Sequence, residues 1–422
     1  WYGFYELPIL LMILGGIVLL TNYGYKTAGK PVYENLPWLN WKLPIGIIVT
    51  GAMFTTVIPY FSSAPWIRDF LKNGAYRSAI GFVEEGSFGE DVDPIDISQV
   101  RKVDRELAHR LARNLKKGAM PEWSSQVDVG QPNLQVIKGE RLWAMPLIHI
   151  DDIKRKIANW KGTPGYVLVS ETDTHDIRLV TEIDGKPLRL RHNMTAWGIF
   201  HPKRWIYQHG HLFYGLTDFT FEVCDQGLPY MVVTAYRKSV GYNVPDACGV
   251  VTLDMQTGET KFYSMDKIPD WVDRVQPMEF IVEQLNHWGM YADGWWSMRW
   301  DKSNVIQTTP GTVLTFAGNR GNWYTGMTSI AADESTMGFV LVDVKTKKAK
   351  IFRQAGATEL GAKGSLEEAV QHLGYKSPDS IMYNPYGIGI PSYFSTLKGN
   401  EGLVKMCGWV SAENYDIYGV GK

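Results

Sequence analysis

Nineteen consecutive residues, Leu43 to Phe61, carry no charge. Such a run restricts the fold strongly. A bilayer core about 30 Å thick takes roughly 20 apolar residues as one helix, and helices in folded cores are usually shorter. A second uncharged run, Leu7 to Tyr25, lies upstream, and Trp1, Tyr2, Phe4 and Tyr5 extend its apolar character past Glu6. Trp38 and Trp41 precede the later run and Tyr60 and Trp66 follow it, as an interfacial aromatic belt would. The pattern predicts a transmembrane helical hairpin over residues 5–25 and 43–61, in contact with membrane lipids, with a pair of buried core helices as the alternative. Flanking charge does not orient it: Lys26, Lys30 and Lys42 on one side are matched by Arg68, Lys72 and Arg77 on the other. Few cysteines, many Trp and Tyr, and strand-rich turns place the rest of the chain outside the cytoplasm. An integral membrane protein with an extracytoplasmic domain is the expectation.

After this anchor (1–61), residues 62–97 read as an acidic linker. Glu84, Glu85, Glu90, Asp91, Asp93 and Asp96 stand there without a basic residue from 84 to 96, and the spacing is not that of a calcium loop. From Ser98 to Lys117, Val103, Leu107, Leu111 and Leu115 recur every four residues with Ala108 and Ala112 beside them, the stripe of an amphipathic helix with a basic outer face. Beyond it, strands alternate with turns, and the chain resembles itself. Gly249 to Tyr263 aligns with Gly338 to Phe352 at an offset of 89 residues, with Gly, Val, Asp, Thr and Lys shared. Gly165 to Val169 repeats the strand start, and Pro391 to Tyr418 is a looser relative. The Asp-x-x-Thr-Gly piece of the first copy forms a hairpin turn: Asp and Thr side chains bond nearby backbone donors and Gly258 takes positive φ. Propeller blades use similar turns, but they repeat at about 40–45 residues without helices between them. Here helices intervene, at Ile281–Ala292 and after the capping box Ser365-Leu-Glu-Glu368. The fold class expected is α+β, with antiparallel-sheet-plus-helix modules over 98–265 and 266–422.

The unit Gly-Val-Val-x-Leu-Asp-x-x-Thr-Gly-Glu-x-Lys, alternating with a short amphipathic helix, resembles the PepSY-like modules of bacterial envelope proteins; in the second copy Lys347 replaces the turn glycine. The resemblance implies a small extracytoplasmic helix-plus-sheet module, regulatory or interacting rather than catalytic.

Net charge is −1, from 43 basic and 44 acidic residues, which excludes a basic nucleic-acid binder. Cys224, Cys248 and Cys407 are too few and too dispersed for a disulfide framework or a thiolate zinc site. His209-Gly-His211, read as a strand, puts two imidazoles on one face where they share a metal, with His192, His201, Asp218 or Glu222 nearby. No nucleophile elbow, phosphate loop, dinucleotide fingerprint or zincin helix is present. Trp288, Tyr291, Trp295, Trp296 and Trp300 form an unusual aromatic run; such residues suit an interface, and equally a core. The expectation is a membrane-anchored, non-catalytic scaffold of the cell envelope. It would need no cofactor and would self-assemble, or hold an envelope protein, through Trp-rich and strand-edge surfaces. The alternatives are a regulator of an envelope peptidase and a metal-dependent hydrolase centred on His209 and His211.

Overall fold

The computed structural model describes residues 42–53, 72–123, 125–150, 160–240, 243–296, 298, 300, 304–317, 320–329, 336–353, 359–378, 380–385 and 389–421. Helix α1 (Lys42–Ala52) occupies the start of the long uncharged run. Its 11 residues measure about 16 Å at 1.5 Å per residue, half a bilayer core. Among the described residues no helix is long and apolar enough to cross a membrane, which overturns the expected transmembrane hairpin. The upstream run, 5–25, lies outside the described residues.

Two short helices, α2 (Asn73–Arg77) and α3 (Phe88–Asp91), belong with two short strands, β1 (Val83–Glu85) and β2 (Pro94–Ile95). The acidic segment expected as a linker is therefore woven into the fold. Helix α4 (Arg105–Ala119) begins where Asp104 accepts a hydrogen bond from Leu107 N and leads into the first sheet: β3 (Val127–Val129), β4 (Asn133–Ile137), β5 (Glu140–His149), β6 (Tyr166–Ser170) and β7 (Ile177–Val180). A two-stranded hairpin, β8 (Glu182–Ile183) and β9 (Lys186–Pro187), and helix α5 (Pro202–Gln208) connect to the second sheet. That sheet is the meander β10 (Gly215–Val223), β11 (Pro229–Val240), β12 (Asn243–Asp254) and β13 (Thr260–Ser264). Helices α6 (Met278–Met290) and α7 (Gly294–Trp296) precede the third: β14 (Ile306–Thr308), β15 (Val313–Ala317), β16 (Arg320–Ser329), β17 (Thr336–Asp343) and β18 (Ala349–Phe352), with β1 lying parallel along β18. Helix α8 (Glu359–Ala369) leads to the fourth: β19 (Ile381–Pro385), β20 (Ser392–Lys398), β21 (Val404–Ser411) and β22 (Tyr418–Gly421), with β2 parallel to β19.

The four sheets pack in a closed circuit, and the third strand of each meander shows how. Side chains alternate across a strand, so neighbours enter different cores. Tyr166 and Leu168 of β6 join Val251 and Leu253 of β12 between the first and second sheets. Val250, on the opposite face of β12, meets Val272 and Val275, and the backbone there donates from Val275 and Gln276 to Val344 O of the third sheet. Val340 and Val342 of β17 pack on Ile281 and Leu285 of α6, whereas Phe339 faces Leu366 of α8 and Val410 of the fourth sheet. Trp409 then turns to Val100, and α4 fills the space back to Val167 and Val169 of the first sheet. Each sheet therefore buries both faces against different neighbours, in the manner of propeller blades. Helices and long connections between blades account for a spacing longer than a plain propeller repeat.

The hairpin reading of the repeat holds atom by atom. Asp254 Oδ1 accepts from Gln256 N and Thr257 N at 2.8 and 3.1 Å; Asp343 Oδ1 accepts from Lys345 N and Thr346 N at 2.9 and 2.7 Å. Ser170 and Ser411 play the same part in the first and fourth sheets, each hydroxyl accepting from the second and third following amides. Gly258 has φ +85 and Lys347 has φ +63. A left-handed lysine costs on the order of 1–2 kcal/mol. Lys347 Nζ offsets this by reaching Asp246 Oδ1 at 2.6 Å and Ala79 O at 2.9 Å.

Candidate binding surfaces

The histidines do not lie on a strand. Pro202 at the first helical position and the His201 ring, which accepts from Lys203 N, start α5, and His209 ends it. His209 Nδ1 is 2.7 Å from Trp205 O, and its ring stacks on Trp205 at 4.1 Å. His211 lies in the following turn. Among the described residues no three His, Cys, Asp or Glu side chains converge at metal-binding distance. Nor are the neighbouring carboxylates free for a metal: Asp218 pairs with Arg274 at 2.8 Å, and Glu222 accepts from Asp273 N and Arg274 N.

The aromatic run is divided rather than gathered. Tyr291 is fully buried against Tyr76, Trp288 packs partly into the core beneath α6, Trp295 is half-buried and Trp300 is exposed. The Trp296 side chain lies outside the described residues. As a group these residues do not form one exposed surface.

Two cavities of about 280 and 430 Å³ flank the hairpin tip at Gly139, where the first sheet approaches the others. The larger is lined by Lys138, Asp225, Asp273, Arg320 and Lys345. Behind it Glu222 is completely buried, and its carboxylate pins residues 273–274 between the second and third sheets, while Asp273 in turn accepts from Val136 N of the first. Burial, reinforced by the charge of Asp273, pushes the Glu222 carboxyl well above the ordinary value, and burial likewise raises Asp273. A raised folded-state pKa means stability that is fully present below the unfolded value and lost as pH rises through the folded one. Stability is therefore expected to fall by on the order of 2 kcal/mol from about pH 5 to about pH 9. Glu222→Gln should flatten that slope, at some cost at the acid end because the amide cannot accept both backbone donors. Denaturant midpoints of both proteins at the two pH values test it, and an equal slope in the variant rejects the assignment.

A third cavity, about 540 Å³, opens beside the 193–200 loop and is lined by His149, Trp160, Arg191, Trp197, Ile199 and Phe200. The loop is held rigidly. Asn193 is wholly buried; its Oδ1 accepts from Thr195 N and Oγ1, and its Nδ2 donates to Leu190 O. His192, also wholly buried, contacts Phe200 O through Nδ1 and lies 4.4 Å from the Trp205 ring, and burial lowers its pKa to about 4. Its Nε2 rests against Gly258, where a Cβ would come within 2.7 Å. This cavity had no local sequence signal: Trp160, Arg191 and Trp197 are brought together only by the loop's fold. The burial of Asn193 also removes the sequon Asn193-Met-Thr195 as an acceptor in the folded protein.

The outer edge of the fourth sheet is the remaining surface. β22 ends the strand order, all four of its residues are exposed, and Ile417, Tyr418 and Val420 are left to water. The corresponding edge of the third sheet is covered by β1.

Neither the known protein-family models nor the curated proteins include a match to this chain.

Proposed function

We propose that this chain is a non-catalytic interaction scaffold that self-associates through the outer edge of its fourth sheet. The observation that carries this reading is β22, an apolar edge strand without lysine, proline or bulge along it. Natural edge strands normally carry such devices because unpaired N–H and C=O groups recruit another strand. Two copies of β22 meeting antiparallel across a two-fold axis would pair backbone to backbone, and the absence of charge within the strand means that no like charges oppose each other. The β1 strand, already seated on the equivalent edge of the third sheet, supports the idea that these outer edges accept an added strand. The Trp-rich segment takes no part in this surface, because Tyr291 is buried and Trp288 packs partly into the core.

An extracytoplasmic location accords with this reading. Burial raises the pKa of the Cys248 and Cys407 thiols, so little thiolate is available and unpaired cysteines are tolerable in an oxidising compartment.

Val420→Lys tests the assembly by setting two charges against each other across the two-fold. Light scattering is expected to show a dimer or larger oligomer for the parent and a monomer for the variant, with unchanged circular dichroism. A parent that is monomeric at tens of micromolar would sink the self-association reading. Such a monomer would favour the peptidase-regulator alternative, in which the same edge takes a strand from another protein.

A further inference from the structure

We propose that the cavity formed by Trp160, Arg191 and Trp197 binds a carboxylated saccharide. The Arg191 guanidinium lies 5.5 Å from the Trp160 ring and 5.6 Å from the Phe200 ring. It is thus held between aromatic faces, and its Nε is buried with no hydrogen-bond partner. Among the described residues no carboxylate lines the cavity. A guanidinium presents five donors in a planar fork that matches a carboxylate, and a buried donor left unmade is costly. An anionic group supplies what the cavity lacks. Among the described neighbours, Lys203 and Arg204 are exposed, and the latter donates to Gly198 O in the cavity lining.

The rest of the ligand is specified by the mouth. Trp160 and Trp197 are each 53% exposed, a large indole area for a protein to leave in water. Indole faces offer flat, rigid contact with few rotors to freeze. An aromatic acid would seek an enclosed apolar slot that buries both of its faces. A pyranose ring needs one flat platform and keeps its outer hydroxyls in water, which suits a wide, open cavity of about 540 Å³. The buried Asn193 and His192 fix the loop that carries Trp197 and Phe200, so little ordering remains to be done on binding.

The test is calorimetric titration of the full chain with a uronic-acid trisaccharide, the neutral trisaccharide of the same linkage, and benzoate, with tryptophan fluorescence read in parallel. The acidic sugar is expected to bind at least about tenfold more tightly than the neutral one. Arg191→Gln should bring the two sugars to equal affinity, and Trp197→Ala should weaken both by about tenfold, each with an unchanged unfolding midpoint. Equal affinity for the two sugars in the parent overturns the proposal, as does no binding by either at about 10 mM. Tighter binding of benzoate than of the acidic sugar also overturns it and reassigns the cavity to aromatic acids. Because no residue of β22, the edge of the fourth sheet, lines the Arg191 cavity, loss of self-association in Val420→Lys is expected to leave these titrations unaffected.

Discussion

Glu171→Ala is expected to destabilise the protein by about 3–5 kcal/mol, close to the limit of what a domain of ordinary stability survives. Glu171 is 1% exposed and is contacted by two arginines, Arg101 Nε at 2.6 Å and Arg141 Nε at 3.1 Å, the second an ion pair without hydrogen-bond geometry. Removing the carboxylate strands two guanidinium groups in a partly dry site, and that desolvation is the main part of the cost. The residue also sits at the point where the ring closes. Its carbonyl accepts from Lys102 N and Val103 N, while Arg101 donates onward to Leu314 O of the third sheet and stacks over Trp143 of the first. Loss of the anchor should therefore loosen the 98–103 segment that joins the first and fourth sheets. Chemical denaturation gives the magnitude, and hydrogen exchange at 101–103 gives the location. A loss under about 1 kcal/mol would mean that water reaches the arginines and that the clasp is not dry. Glu171→Gln, which keeps the shape and one acceptor, should recover only part of the loss.

The Asp-x-x-Thr hairpins could be read from sequence because every bond in them lies within a few residues: Asp254 and Asp343 cap their own turns. The amphipathic helix is legible for the same reason, its stripe Leu107, Ala108 and Ala112 being buried, although it starts at Arg105 rather than Ser98 and Val103 packs beside it from outside the helix. The circuit of sheets was not legible. Val250 and Val251 are both buried, so the sequence shows a strand covered on two faces but not by what. His209 and His211 do not share a strand face because Pro202 starts a helix that ends at His209, and a helix end does not bring residues 209 and 211 to one face. The aromatic run misled for a deeper reason. Tryptophan is equally at home in a core and at an interface, so Tyr291 and Trp300 look alike in sequence although one is sealed and the other open. In the uncharged run, lack of charge is a necessary condition for a span and not a sufficient one. The acidic segment was read as solvated from its charge alone, although Glu84 and Glu85 sit on the exposed edge strand β1, where Lys350 and Arg353 pair with them.

Gly338→Ala should be among the most damaging single-atom changes in the repeat, at more than about 3 kcal/mol. In three of the sheets the third strand carries, within it or just before it, a glycine whose missing Cβ faces a carbonyl oxygen of the neighbouring strand. A Cβ there would stand 2.0 Å from Val180 O at Gly165, 2.3 Å from Tyr263 O at Gly249 and 2.1 Å from Phe352 O at Gly338. These are backbone atoms fixed by the sheet's own hydrogen bonds, so relief requires the strands to part, as well as a left-handed strain at φ +151 for Gly338. Parting β17 from β18 would also disturb the seat of β1. Gly311→Ala is the control: it too has positive φ, +105, but nothing lies within 4 Å of its Cβ. The comparison separates the conformational cost, about 1 kcal/mol and common to both, from the steric cost carried by Gly338 alone. Equal losses in the two variants, measured by denaturant midpoint, would show that the close approach of the strands does not constrain this position and that the glycine repeat reflects backbone conformation only.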